Sequence, residues 1–397
     1  MSLELINRSA DLKRLRDEGY GIEVSNGYLL IDKVPYVDGK KQVSYGTLIS
    51  RLELAGNSTV KPNDHVALWA GDYPCDSKGS QLTSLVNNSG MQEKIRDGLI
   101  ATCSFSHKPE GGYTDYYQKM TRYVQVLENE ARALDPKVTT KTFSPVRLTE
   151  EESVFCYLDT ASSRAGIASI NEKLKNGRLA IVGLGGTGSY ILDLVAKTHV
   201  GEIHLFDGDD FLQHNAFRSP GAPSFDDLTQ KTTKVEWFTK NYSKMRRKII
   251  PHPKRIDESN MEELHSMDFV FLCVDKNERI RMIVNYLIEN KIPFIDVGLD
   301  LYVENEMLGG SVRVTTCTPS FHDHVSSRIT FGSSEDDEYS SNIQIADMNA
   351  LNATLAVIKW KKLCGFYHDF GHEHHTVYGI VTNIITNDEV ANEAQDN

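Results

Sequence analysis

Gly183, Gly185, Gly186 and Gly188 lie in Leu179-Ala-Ile-Val-Gly-Leu-Gly-Gly-Thr-Gly-Ser189, where an apolar run stops and an amphipathic stretch from Ser189 to about Val200 takes over. Glycines let backbone approach phosphate oxygens with no Cβ in the way, and the unpaired N–H groups and positive dipole end of a new helix stabilise negative charge. Asp207 closes the next strand-like run, Glu202-Ile-His-Leu-Phe-Asp207, about 20 residues downstream, where a carboxylate accepts ribose hydroxyls. A nucleotide is the ligand these residues predict.

The same residues fit two chemistries. Gly183, Gly185 and Gly188 with Asp207 satisfy the dinucleotide fingerprint of an NAD(P)-dependent oxidoreductase. The segment after Asp207 instead supplies Asn215 and Arg218, with Lys231 and Lys234 shortly beyond, and cations of this kind suit a triphosphate. Farther on, the apolar run Asp268-Phe-Val-Phe-Leu-Cys-Val274 ends in Asp275, a carboxylate at the carboxyl edge of a parallel sheet, where it can hold Mg²⁺ against phosphates.

A GxGGxG turn, an Asp-x-Asp followed by Asn and Arg, a downstream lysine and a strand-terminal Asp together resemble the ThiF/MoeB/HesA superfamily, which contains the ubiquitin-activating enzymes. The resemblance covers roughly residues 155 to 365. It implies ATP- and Mg²⁺-dependent adenylation of the C-terminal carboxylate of a ubiquitin-like or sulfur-carrier protein. It makes Gly183, Gly185, Gly186 and Gly188 the phosphate turn, Asp207 the ribose ligand, Asn215 and Arg218 the polar pair at the triphosphate, and Asp275 the Mg²⁺-associated aspartate. Lys234, which opens a helix-like Lys-Val-Glu-Trp run, is preferred to Lys231 as the ATP lysine. The resemblance also implies a homodimer in which Arg164 reaches the partner's ATP site, and a conjugating enzyme as a further partner. A catalytically idle scaffold subunit of such a system is the other alternative to the oxidoreductase.

Three departures from the family pattern matter. Its Arg and Asn on the helix after the strand-terminal Asp match Arg281 and Asn285, which lie one residue farther from Asp275. None of the six cysteines forms a Cys-x-x-Cys pair, so no structural zinc is expected in the adenylation domain. Cys317, at the start of the crossover stretch Thr316 to Asn342, is the one candidate there for a thioester nucleophile. His322 and His324 are near enough in sequence to depress its pKa, while the acidic loop that follows opposes this. Cys75, in a Tyr-Pro-Cys-Asp turn with His65 or His107 as base, is a rival thiol. His322/His324 and His372/His374/His375 are candidate metal ligands, with solvated loop histidines as the plainer reading.

The elements that must position these residues read as an α/β fold, a Rossmann-like ThiF-type adenylation domain preceded by a smaller α+β domain. Strands near 179–183, 202–207, 269–274 and 292–297 alternate with helical stretches near 189–199, 230–247 and 277–290, which implies right-handed βαβ units and a mainly parallel sheet. Gly309 to Thr316 reads as a further, antiparallel strand, and a long helix runs from Ile343 to about Lys362. Val154 to Asn176 reads as helical. The expected organisation is an N-terminal domain at 1–135, a linker at 136–152, the ATP-binding domain at 153–387 and a frayed tail at 388–397. The domain order resembles bacterial ThiF-family fusions associated with ubiquitin-like conjugation, and the N-terminal domain is expected to recognise the carrier or another pathway component.

Composition narrows the function classes. At 397 residues and 40% hydrophobic content the chain buries substantial cores, and a net charge of -12 argues against nucleic-acid binding, which wants a basic face. Scattered cysteines do not form a disulfide framework, the N-terminus lacks a signal-peptide pattern, and no apolar run reaches the ~18 residues of a membrane span. A cytoplasmic protein without membrane partners is expected.

Overall fold

The apolar run before the glycine turn forms strand β1 (Arg178–Val182), buried from Leu179 onward. A strand buried on both faces reads as a continuous apolar run, and it belongs at the centre of a parallel sheet. It is flanked by β2 (Glu202–Phe206) and then β3 (Ile249–His252) on one side, and by β4 (Phe269–Leu272) and β5 (Phe294–Glu304) on the other, all parallel. Three antiparallel strands, β6 (Met307–Cys317), β7 (Glu373–Gly379) and β8 (Ile384–Val390), extend the sheet beyond β5. The order is β3-β2-β1-β4-β5-β6-β7-β8. The chain winds outward from β1 to β3 and then returns to the other side of β1, so a crevice opens above the carboxyl ends of β1 and β4, where ligands of doubly wound sheets bind.

Alternate residues of β1 feed the two faces. Leu179 and Ile181 join a core with helix α1 (Gly186–Val195), helix α2 (Lys234–Tyr242) and helix α4 (Ala346–Leu363). Ala180 and Val182 join a second core with helix α3 (Glu278–Glu289), through Ile280, Ile283, Val284 and Leu287. α2 starts where Thr233 accepts a hydrogen bond from the Glu236 N–H while the Glu236 carboxylate accepts one from the Thr233 N–H, a reciprocal capping box.

Several elements differ from expectation. α1 begins at Gly186, three residues earlier than Ser189, because the glycine turn itself supplies its first turn. The expected helix at 230–247 is shorter, α2 alone, and a separate short helix, Phe225–Thr229, precedes it. The stretch Val154 to Asn176 holds only short helices, Thr160–Ala165 and Ala168–Asn171 with a 3-10 turn after it, broken at Gly166, whose φ of 71° closes the first. β8 continues to Val390, past Asn387.

The structure, a computed structural model, describes residues 2–146, 148, 153–175, 177–274, 278–329, 331 and 343–391, in two units, Met1–Val146 and Arg147–Asn397. The N-terminal unit is a six-stranded antiparallel sheet, Ile22–Ser25, Tyr28–Val37, Val43–Arg51, Val66–Ala70, Leu99–Ser106 and Val86–Arg96 in spatial order. The helix Tyr116–Leu134 covers it with a stripe of Tyr116, Met120, Tyr123 and Leu127, packed on Leu29, Leu48, Trp69 and Phe105. No helix among the described residues is long and apolar enough to cross a membrane.

Candidate active site

Each glycine of the turn answers a different demand. Gly183 has a φ of 93°, and a Cβ there would lie 2.4 Å from the Cys273 carbonyl oxygen on β4's extension. At Gly188 a Cβ would meet the Gly183 carbonyl oxygen at 1.9 Å, and at Gly186 it would meet Asn349 Nδ2 of α4 at 2.0 Å. Those three allow strand, turn and helices to close on one another. Gly185 is different: the nearest atom to a Cβ there is Gln344 Oε1 at 3.9 Å. Gly185 and Gly186 line a cavity of about 410 Å³, and α1 has no side-chain cap, so the orphan N–H groups of its first turn face an opening suited to an anion.

Charge converges at the β2 end of this cavity. Asp207 is buried; its carboxylate accepts from the Leu184 N–H at 2.7 Å and the Asp209 N–H at 2.9 Å, tying the glycine turn to β2. Lys234, at the first position of α2, places Nζ 3.4 Å from both Asp207 oxygens and 2.8 Å from Asp209 Oδ2. Arg255 holds the other Asp209 oxygen. Against the desolvation of partial burial, these Arg255 and Lys234 hydrogen bonds bring the Asp209 carboxyl down to about 2. Lys231 sits on the loop with a φ of 41° and does not line the cavity, so of the two lysines the structure brings only Lys234 to Asp207.

The short helix Gln213–Ala216 and its C-terminal turn carry Asn215 and Arg218. Asn215 Oδ1 accepts from the Leu212 N–H at 2.8 Å, while Asn215 Nδ2 and Arg218 Nε are buried donors that meet no acceptor among the described residues. Buried donors are nearly always satisfied, so each has a partner that the described residues do not supply. Arg218 lines the cavity; Asn215 lies behind it.

Other cavity residues carry no local signal in the chain. Thr187 Oγ1 donates to Asn349 Oδ1 at 3.0 Å, and Gln344 accepts from the Gly186 N–H at 3.4 Å, so α4 completes the phosphate end from far along the sequence. Arg279 lines the cavity, whereas Arg281 lies over the Phe331 ring at 4.7 Å and Asn285 is exposed. Of these three residues only Arg279 lines the cavity. At the far end Asp296, Asp300 and Arg313 complete the lining. Asp209 was the one readable member, through its Asp-x-Asp spacing from Asp207.

Some expected residues lie elsewhere. Cys317 is 2% exposed at the end of β6, in the core beneath α3, and burial pushes its thiol up to about 12. A thiol so protonated behaves as a small hydrophobe, which speaks against the expected role as crossover nucleophile. Cys75 is also buried, its thiol raised by burial first and by Asp76 and Asp38 next, and its Sγ donates to the Tyr73 carbonyl at 3.7 Å. His374 and His375 are strand residues buried on β7, and His324 Nε2 donates to the Thr316 carbonyl at 2.9 Å, so these are packed histidines and not loop ligands. Arg164 is exposed at the end of Thr160–Ala165. Asp275 falls outside the described residues.

The family models divide the chain in the same way as its chemistry. One, described as a domain of unknown function (DUF6791), matches residues 10–160, and one described as the ThiF family matches residues 161–379, more than half of the chain. The chain is similar to ubiquitin-like modifier-activating enzyme 5 of Gallus gallus, 30% identical over 136 residues, and of Xenopus laevis, 29% identical over 136 residues. Each alignment takes in 32% of this chain and 34% of the relative, so the chain spans about a third of the length of these curated relatives. Among solved structures it is similar to E. coli MccB crystallised with ATP, at 19% identity and a TM-score of 0.45 over 56% of this chain and 67% of that one. It is also similar to PaaA, at 19% identity and a TM-score of 0.43 over 56% and 76%. With the glycine turn, Asp207, Arg218 and Lys234 all inside the matched span, the chain belongs to the ThiF family.

Proposed function

We propose that this chain activates the C-terminal carboxylate of a ubiquitin-like or sulfur-carrier protein by adenylation with ATP and Mg²⁺. The observation that carries the reading is the convergence on one cavity of a helix N-terminus opened by Gly185 and of Lys234 and Arg218, the latter with a buried donor that meets no acceptor among the described residues. A dinucleotide would place its pyrophosphate on the turn and its ribose on Asp207, with no β- and γ-phosphates for Arg218 and Lys234 to meet.

The chemistry joins anions. A carboxylate oxygen of the carrier forms a bond to the α-phosphorus, the bond from that phosphorus to the oxygen bridging the β-phosphate breaks, and the electron pair leaves with pyrophosphate. Bringing such charges together needs positioning and neutralisation, which Lys234, Arg218 and the first turn of α1 supply in a cavity walled by protein. Asp207 orients the ribose. Mg²⁺ bound with the phosphates would add Lewis-acid charge. Since Asp207 and Asp209 already face Lys234 and Asp209 also faces Arg255, the metal carboxylate in this proposal is Asp275, outside the described residues. With Cys317 and Cys75 buried, the acyl-adenylate passes to an external thiol or amine, such as that of a conjugating enzyme. A homodimer with Arg164 acting in trans and carrier recognition by the N-terminal unit complete the proposal.

Calorimetry with ATP·Mg²⁺ and with NAD tests the ligand, and ATP–pyrophosphate exchange in the presence of captured small proteins ending in Gly-Gly tests the reaction. Tight NAD binding with no ATP binding would reject the reading in favour of an oxidoreductase. ATP binding with no exchange in the presence of the carrier would leave an idle scaffold.

A further inference from the structure

The cavity has a second charged end that ribose and phosphate contacts do not use. β5 and β6 pair with Gly298 opposite Arg313 and Asp296 opposite Thr315. A Cβ at Gly298 would lie 2.8 Å from Arg313 Nη2 and 2.9 Å from its Nε, so it is the bare glycine that lets the guanidinium lie flat across β5. There Nη2 donates to Asp296 Oδ2 at 2.6 Å, and Nη1 donates to the Thr315 hydroxyl. Thr315, accepting from Arg313, turns its own proton toward His375 Nδ1 at 3.1 Å, and the Gly298 carbonyl accepts from Asn352 of α4 at 3.0 Å. Asp296 and Thr315 are 1% and 0% exposed. Buried groups thus fix Arg313 in one place, yet its side chain keeps 17% exposure and lines the cavity.

An arginine fork carries five N–H donors, and among the described residues these contacts use two of them. A guanidinium held rigid, with donors left at a cavity wall, is a preorganised receptor for a carboxylate. Its place in the sheet says which one. The nucleoside end is at β2 and the phosphate turn at the end of β1; strands stand about 4.8 Å apart, so β5 lies roughly 14 Å from β2, on the far side of the turn. In-line attack puts the carboxylate on the side of the α-phosphorus away from the pyrophosphate, and with Lys234 and Arg218 drawing the pyrophosphate to their own side of the cavity, the β5 side is the one left for it.

Resting on the adenylation reading, we infer that Arg313 is the acceptor-side binding residue: it receives the carboxylate that attacks the α-phosphorus and afterwards the carbonyl oxygen of the acyl-adenylate. Asp296, Thr315 and Gly298 are its positioning residues.

The test compares two inert nucleosides on the full chain by calorimetry, 5′-O-sulfamoyladenosine and the same molecule N-acylated with glycylglycine, which mimics an acyl-adenylate. Wild type is expected to bind the acylated probe at least about tenfold more tightly, the size of a hydrogen bond to a charged group. Arg313→Gln combined with Asp296→Asn, which avoids stranding a buried carboxylate, should erase that preference while binding sulfamoyladenosine within about twofold of wild type. Gly298→Ala, which displaces the guanidinium without removing it, should do the same, and it decides the matter if the double variant does not fold. Retention of the preference in a folded variant, or its absence from wild type, overturns the assignment. Failure of wild type to bind either nucleoside would instead overturn the adenylation reading beneath it.

Discussion

Alanine at Gly185 and at Gly188 should separate phosphate binding from folding within a single turn. At Gly188 the added carbon would stand 1.9 Å from the Gly183 carbonyl, a backbone atom held by β1 and unable to yield. Overpacking of this kind costs about 1–3 kcal/mol, and in a domain of this size each kcal/mol lowers Tm by roughly 2–4 °C, so Gly188→Ala should melt roughly 2–12 °C below wild type. At Gly185 the added carbon meets only Gln344 Oε1, at an ordinary 3.9 Å, and Tm should stay within about 2 °C. That carbon nevertheless points into the space where phosphate oxygens must approach the first turn of α1. Losing one charge-assisted hydrogen bond there costs about 1.5–3 kcal/mol, roughly 10- to 150-fold in affinity. Calorimetry with ATP·Mg²⁺ and a thermal melt of each variant decide it. If Gly185→Ala binds ATP as wild type does, or if it melts as early as Gly188→Ala, the division of labour among the glycines is wrong.

Lys234→Met leaves Asp207 and Asp209 facing each other without their shared cation. Because Asp207 keeps two backbone donors, the loss should sit near the low end of the cost for breaking a buried pair, about 3 kcal/mol by denaturant unfolding, with carrier-dependent exchange falling about 100-fold. Asp275→Ala should lower exchange by about 100-fold with little change in Tm, and near-normal exchange would place the metal elsewhere. Cys317→Ser should leave exchange within about twofold of wild type, and a thiol reagent at neutral pH should not label Cys317 in the folded protein. Burial, and after it Arg328 and Arg313, push His375 down to about 4. With the folded value below the unfolded ~6.5, the stability it contributes is complete above about pH 6.5 and is lost as pH falls toward 4. A proton-NMR titration of His375 near 6.5 would contradict this.

What could be read in advance follows from how far apart along the chain a site's residues lie. The glycine turn and Asp207 were legible because strand, turn, helix and next strand form one continuous unit, and each residue's task is set by its immediate neighbours. Lys234 was legible as the residue that opens the helix-like Lys-Val-Glu-Trp run where the family resemblance places its lysine. β3 was not, since Ile249-Ile-Pro-His252 contains a proline that reads as a breaker; at the edge of the sheet a strand tolerates it. β7 was hidden by a cluster of histidines that looks solvated in sequence, yet His374 and His375 are both buried once the strand pairs with β6. The acceptor end of the cavity was beyond local reading altogether. Nothing near Gly298 says why it is a glycine; the reason is Arg313, fifteen residues on in the chain but directly opposite in register. Nothing near Asn349 announces a contact with Thr187 either, because α4 reaches the turn only after the sheet has closed between them. Such residues are chosen by the pairing of strands, and a one-residue slip of β6 against β5 would turn Arg313 to the opposite face and leave Asp296 buried without it. Register, more than motif, is therefore what joins the acceptor end to the nucleotide end of one cavity.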